Sequence, residues 1–302
     1  MFLLEDTHYT ITYYKIVINT NNITFNDNDF ITIYRSEHYN ELLHSRDQSL
    51  TITNNSIIIT NYKKQHKITK HNIDLCNINK IILQVNKCDD VVLLINNEKI
   101  VLENFLCFGK TVIDSSFDCI NKNDCSIEYL NYKRNIPHVY GDCMANIHTH
   151  KHFGKYFYEK NSNYYVCQKP SIDYIDMLNT LERGLINLNP ELCLITIKAN
   201  VSKHTYEFIE SLIKKYTDTK FILFTIPKIK YENRVIIYNE LLRSAKYKFN
   251  NVEIIDLATY FNNLHNKEIY FNDNAHTNEE GAKLVYEILK EKIPELTITY
   301  DI

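Results

Sequence analysis

The chain has no tryptophan, only five glycines, no Cys-x-x-Cys pair and no long apolar run, and each shortage removes a class of protein. No segment approaches the roughly 18 consecutive apolar residues of a membrane helix. The opening "MFLLEDTHYTITYYK" turns acidic after a few apolar residues, so it lacks the basic and long apolar regions of a secretory signal. The eight cysteines are scattered, which argues against a structural zinc site and against a compact disulfide framework. They read as thiols of a reducing cytoplasm. A formal charge of −3 gives no electrostatic reason for a nucleic-acid partner, and no membrane partner is expected either. The shortage of glycine goes with heavy use of Asn, Ile, Lys and Tyr, a bias that AT-rich codons impose and that carries no functional weight.

What is present is ordinary globular composition, 44% apolar and 24% charged over 302 residues. A chain of that length buries roughly 75% of its unfolded surface and needs no staples. Residues 1–132 run in short stretches of alternating apolar and polar character, "FITIY", "SIIIT", "KIILQV", "DVVLLI" and "CSIEYL" among them, separated by Asn and Asp. Period-2 patterning with β-branched residues predicts strands, and the absence of a helical period predicts an all-β sandwich or jelly-roll-like domain. "VVLLINNEKIVL" reads as a hairpin turning on Asn96 and Asn97. "NYKRNIP", 131–137, reads as a linker.

Residues 133–302 alternate strands and helices. "HVYGD", "LCLITI", "KFILFTIP" and "VEIIDL" are the strands. "IDYIDMLNTLERGLI", "SKHTYEFIESLIKKY", "NRVIIYNELLRSAKYKF" and "NEEGAKLVYEILKEKI" are the helices, the second capped by Ser202. Such alternation predicts a parallel sheet with helices on both faces, whose ligands sit at the C-terminal strand ends. Three chemically interesting pieces fall there: Gly141-Asp142-Cys143, Asn200, and Asp273-Asn-Ala-His276.

A thiol at a strand-to-helix turn lies near N–H dipoles that favour the thiolate. His276 can serve it as base and later serve the leaving group as acid, and Asp273, three residues earlier, can hold the far ring nitrogen. The Cys143 N–H and the Asn200 amide are candidate donors for an oxyanion. Asp142 and His148 are candidate substrate-lining groups.

The order "YGDC", "KAN", "DNAHTNEEGAKLVYEIL" resembles the SGNH (GDSL-like) hydrolase superfamily, over roughly residues 134–295. The resemblance implies a flavodoxin-like α/β sheet, a Cys143–His276–Asp273 triad and Asn200 as the oxyanion amide. The chain departs from the family at three points. Cys143 stands in the place of serine, Lys198 and Val201 flank Asn200 where the family has glycine and aspartate, and Gly154 is the nearest glycine to the second block. A thioester on cysteine hands its acyl group readily to amines and alcohols as well as water, so hydrolysis and acyl transfer both stay open. An acylated carbohydrate or a small acyl donor is the expected substrate. No cofactor is expected, with acyl-CoA or an acyl-carrier protein as the donor of a transferase. Two alternatives stand beside this: a non-catalytic ligand-binding protein on the same scaffold, and a metal-dependent hydrolase using His148, His150 and His152. No metal site is expected except in the last of these.

Overall fold

The structure is a computed structural model and describes residues 1–4, 14–36, 48–61, 64–68, 75, 77–87, 90–102, 110–129, 134–145, 150–160, 165–168, 181–182, 185–186, 188–197 and 201–297. The chain divides into two compact units, Met1–Asn131 and Tyr132–Ile302.

The first unit holds β1 (Phe2–Leu3), β2 (Tyr14–Ile23), β3 (Phe30–Ser36), β4 (Gln48–Thr53), β5 (Ile57–Asn61), β6 (Lys64–Ile68), β7 (Ile78–Lys87), β8 (Asp90–Ile95), β9 (Glu98–Leu102), β10 (Lys110–Ser115) and β11 (Cys125–Tyr129). They form two antiparallel sheets, ordered β1-β10-β3-β4-β5-β6 and β11-β2-β7-β8-β9. Alternate positions are buried in each, with Val17 and Val92 buried between them in the second. In the first sheet Ile31, Ile33, Leu50, Ile52, Ile57 and Ile59 are buried, and in the second Ile16, Ile18, Ile81, Leu83, Leu93 and Ile95. Between the alternating apolar positions of β3 and β4, the Thr32 and Thr51 hydroxyls share a hydrogen bond of 3.0 Å.

The glycine shortage is met by asparagine. The non-glycine residues with positive φ among those described are Asn21, Asn22, Asn96, Asn97, Asn189 and Asn266. Asparagine tolerates this left-handed region better than other side chains do. Asn96 (φ 48°) and Asn97 (φ 73°) make the β8–β9 turn, both positive as a two-residue hairpin of type I′ demands. Asn21 and Asn22 lie where the β2–β7 register shifts, between Asn19 and Ile23.

The second unit carries five strands, β12 (His138–Gly141), β13 (Tyr165–Gln168), β14 (Leu192–Thr196), β15 (Lys220–Phe224) and β16 (Val252–Ile255), and the helices α1 (Phe153–Lys160), α2 (Lys203–Lys215), α3 (Asn233–Lys248), α4 (Leu257–Asn262) and α5 (Glu279–Lys292). Residues 181–182, 185–186 and 188 are also helical. All neighbouring strands are parallel, in the order β13-β12-β14-β15-β16. Numbered within the sheet this is 2-1-3-4-5, the doubly wound order in which the chain reverses direction across the sheet beside its first strand. Every residue of β12 and β14 is buried, as central parallel strands require. Right-handed crossovers that run in opposite directions put their helices on opposite faces. In keeping with that, Tyr156 and Phe157 of α1 meet Tyr286 of α5, at 5.9 and 4.8 Å, while Lys248 of α3 lies over the Tyr206 ring of α2.

The local signals explain the helices. Ser202 and Thr205 form a reciprocal capping box at α2, whose Ile209, Leu212 and Ile213 are buried. Asn278 caps α5 through Gly281 N–H, with Glu279 and Glu280 in its first turn and Lys290 and Lys292 in its last, matching the helix dipole. The patterning does not mark α1, β13 or α4, nor β1, β6 and β10. In α1 tyrosines and phenylalanines mimic a strand, yet Phe153 and Phe157 recur at i, i+4 and are both buried. Residues 134–137 of the expected linker pack onto the second unit: Arg134 Nε donates to Asn189 O (2.8 Å), its carbonyl accepts Glu191 N–H (2.7 Å), and Ile136 is buried. Among the described residues no helix is long and apolar enough to cross a membrane.

Candidate active site

At the C-terminal end of β12 the chain turns in a crowded corner. A Cβ on Gly141 would lie 2.2 Å from Thr196 Oγ1 and 2.7 Å from Ala145 Cβ, so no larger residue fits unless its neighbours shift. Asp142 N–H continues the pairing by donating to Thr196 O (3.2 Å), and a single 3₁₀ turn, Cys143–Ala145, follows. That short turn stands where the pattern predicts the start of a helix. Asp142 is 3% exposed, and its Oδ1 accepts the N–H of Met144 at 3.1 Å. Its charge also reaches the hydroxyl of Tyr238 on α3, whose acidity burial first, and Asp142 second, push well below that of an ordinary phenol. Asp142, a candidate substrate-lining group, is thus buried at the corner. The backbone of Cys143 belongs to this corner, while its side chain, Asn200 and His148 lie outside the described residues.

The second piece is the loop before α5. Asp273 Oδ1 accepts the N–H groups of Ala275 and His276, both at 2.7 Å, and Oδ2 bonds His276 Nδ1 at 2.7 Å. Burial works against the charge of Asp273 and is the largest single influence on it. The donors from Ala275 and His276 together outweigh burial and hold the carboxyl well below the usual carboxylate range. An ionised carboxylate can only accept, so Nδ1 donates its proton to Asp273 and Nε2 is the ring nitrogen that Asp273 does not engage. His276 and Asp273 side chains are 46% and 56% exposed.

The loop is closed on itself and tied down. Phe271 and Thr277 form a β-bridge, Asn272 N–H donates to His276 O (2.8 Å), and the Asn272 amide donates to Thr277 O (3.1 Å). A Cβ on Gly281 would fall 2.2 Å from Tyr270 O, so that glycine lets α5 seat against the loop. Towards the sheet, Ile229 N–H donates to Asn274 O (3.2 Å) and Lys230 N–H to Asn274 Oδ1 (2.6 Å). Towards the chain that follows β12, Thr277 Oγ1 donates to Lys151 O (2.9 Å). The Asp273–His276 loop therefore touches segments that leave both β12 and β15 at their C-terminal ends.

The histidine run has other partners. His150 Nε2 bonds Glu159 Oε2 at 3.0 Å, and its ring meets Tyr156 edge-on at 5.3 Å. His152 is half-buried, its carbonyl accepting Lys155 N–H. Among the described residues no three His, Cys, Asp or Glu side chains are grouped as a metal ion would need.

Several supporting residues escape the sequence patterns. Asn239 sits in the buried stripe of α3 with Val235, Tyr238 and Leu242, and its amide bonds both Ile226 N–H (2.8 Å) and Ile226 O (3.1 Å). A lone amide in an apolar stripe is the one signal that marks it. At the end of β16, Asp256 caps α4 and takes two bonds from Arg243 (2.8 and 2.9 Å) and one from Thr225 (2.8 Å).

No family model and no curated protein matches the chain. Among solved structures it is similar to the C-terminal catalytic domain of peptidoglycan O-acetyltransferase A of Streptococcus pneumoniae, at 16% identity over 53% of this chain and 93% of that one, TM-score 0.44. A protein of Desulfitobacterium hafniense assigned to the G-D-S-L lipolytic family gives 17% identity over 52% and 98%, TM-score 0.42. A family two carbohydrate esterase of Clostridium thermocellum, in complex with cellohexaose, gives 8% identity over 97% of this chain and 100% of its own, TM-score 0.42. The strand order 2-1-3-4-5 is a flavodoxin-like order, and the Asp-x-x-His loop lies directly before the last long helix.

Proposed function

We propose that the chain is an acyl-ester hydrolase or acyltransferase that works through a thioester on Cys143. In this scheme His276 Nε2 takes the thiol proton, and the thiolate attacks the ester carbonyl while the Cys143 N–H and the Asn200 amide face the oxyanion. As the tetrahedral adduct collapses, His276 returns the proton to the departing alcohol, and Cys143 keeps the acyl group. Water or an alcohol, deprotonated by the same nitrogen, then attacks the thioester and releases the cysteine.

The observation that carries the proposal is the Asp273–His276 bond of 2.7 Å through Nδ1, made by two exposed side chains, which leaves Nε2 unengaged by Asp273. The Gly141-Asp142-Cys143 corner at the end of a central parallel strand supports it, because ligands of such sheets bind there. The substrate class that goes with this reading is an acylated carbohydrate or a small acyl donor, with acyl-CoA or an acyl-carrier protein as donor for transfer. The first unit, with two antiparallel sheets that each bury a row of aliphatic side chains, is read as a β-sandwich preceding the catalytic unit.

Turnover of p-nitrophenyl acetate and of acetylated sugars by the full chain tests the proposal. Turnover that disappears in Cys143→Ala supports it. No turnover across that panel, or turnover that persists in Cys143→Ala, would overturn it.

A further inference from the structure

We propose that Asn274 and Thr277 are positioning residues that set the Asp273–His276 pair on the edge of the sheet. The inference rests on reading that pair as the working base, and it concerns what aims the base, which neither the Asp-x-x-His spacing nor the pair's own bond determines.

The loop alternates two kinds of residue. Asp273 and His276 bond each other and are exposed, whereas Asn274 and Thr277, each the next residue along, reach away to other segments. Asn274 accepts two backbone donors, Ile229 N–H on its carbonyl and Lys230 N–H on its side chain. Thr277 is 4% exposed and donates its hydroxyl to Lys151 O, 126 positions earlier. The two anchors hold the loop from two sides, one towards the exit of β15 and one towards the chain that follows β12.

The β15 anchor is itself fixed. Asn239, 2% exposed, bonds both backbone groups of Ile226, so the segment 226–230 is tied to α3 before it meets Asn274. A buried amide satisfied on both its atoms is a rigid fastening, since losing either bond leaves a buried polar group unpaired. Placement then passes from α3 through Ile226 and Lys230 to Asn274 and so to His276. The internal bonds of the loop keep its shape, Phe271 packs its base on Phe261 at 5.2 Å, and the two external anchors hold Asn274 and Thr277, the neighbours of the pair, against the sheet.

Catalysis falls steeply with small misplacement of a base, by as much as about 100-fold for an error of about 1 Å. The test uses the full chain and four variants: Asn274→Ala, Asn274→Asp, which keeps an acceptor for Lys230 N–H, Thr277→Val, and Thr277→Ser, which keeps the hydroxyl. Two readouts are taken, kcat and KM for p-nitrophenyl acetate, and the low-field NMR signal of the His276 Nδ1 proton. Asn274→Ala and Thr277→Val are expected to lower kcat by about 10- to 100-fold with KM little changed, and to broaden the His276 signal, while Asn274→Asp and Thr277→Ser restore both. Thermal midpoints report folding separately. Wild-type kcat and an unchanged His276 signal in Asn274→Ala and Thr277→Val would overturn the inference, as would a loss that the two conservative variants fail to restore. If the wild-type chain turns over no ester, the proposed function falls, and the His276 signal across the four variants decides this inference by itself.

Discussion

His276 and Asp273 show how much one carboxylate decides. Asp273 fixes its neighbour's ring through Nδ1 and folds the loop through two N–H groups, so Asp273→Asn changes both the proton's position and the loop's bonding. Activity is expected to drop about 10²- to 10⁴-fold, as when a wrong tautomer is imposed on a catalytic histidine. Because its folded-state pKa is depressed, the stability Asp273 contributes is fully present above about pH 3.9, the unfolded value, and is lost only as pH falls below it. Its carboxyl ¹³C shift should therefore stay constant from pH 7 to about 4. A titration above pH 5 would contradict the bonding described. Cys125 offers a contrast among the thiols: burial first, and Asp124 second, push it up to about 12, so iodoacetamide at pH 8 should leave it unmodified while it labels exposed Cys119. At this scale the Asp273–His276 bond was legible, since a spacing of three within a loop puts the two side chains in reach of each other. The roles of Asn274 and Thr277 were not, because an anchor's partners are backbone groups of distant segments that no local pattern encodes.

At the scale of elements, β12 bears the most. His138 is fully buried at its start, with Nδ1 3.2 Å from the Tyr140 hydroxyl, and desolvation lowers its pKa to about 3. Unfolding exposes it to an ordinary value near 6.5, so between these pH values the unfolded chain binds the extra proton. Stability should be level above about pH 6.5 and fall towards pH 3 at up to ~1.4 kcal/mol per unit from this group. Urea unfolding of wild type and His138→Leu at pH 7 and pH 5 checks this: the wild type should lose more between the two than the variant does. At the other end of the strand, Gly141→Ala forces a Cβ onto Thr196 and Ala145 and is expected to cost about 1–3 kcal/mol, read as a lower thermal midpoint. Among the described residues the strands and helices with clear period were readable in the sequence, as with the Ser202 cap and the Asn96-Asn97 turn, while the helix expected over 172–186 lies mostly outside them. α1 was not readable, because its four aromatics, Phe153, Tyr156, Phe157 and Tyr158, carry strand propensity, and packing against Tyr286 overrides it.

Across the whole molecule, two units of different architecture share one chain, and only the second carries the residues proposed for chemistry. Alternation of strand and helix was enough to expect a parallel sheet. The strand order was not, since position in a sheet depends on which neighbours pair and β13 is too short to announce itself. That order matters for function because it places the exits of β12 and β15 within reach of one loop, joining residues 151, 229, 230, 274 and 277. The central claim is that this assembly loads an acyl group onto Cys143. It is tested most directly by mixing the full chain with p-nitrophenyl acetate, quenching in acid and mapping the adduct by peptide mass spectrometry. One acetyl group on the peptide holding Cys143, absent in His276→Ala and released by hydroxylamine, is the predicted result. An acetyl group on another residue, or none in a protein that still releases p-nitrophenol, would contradict it.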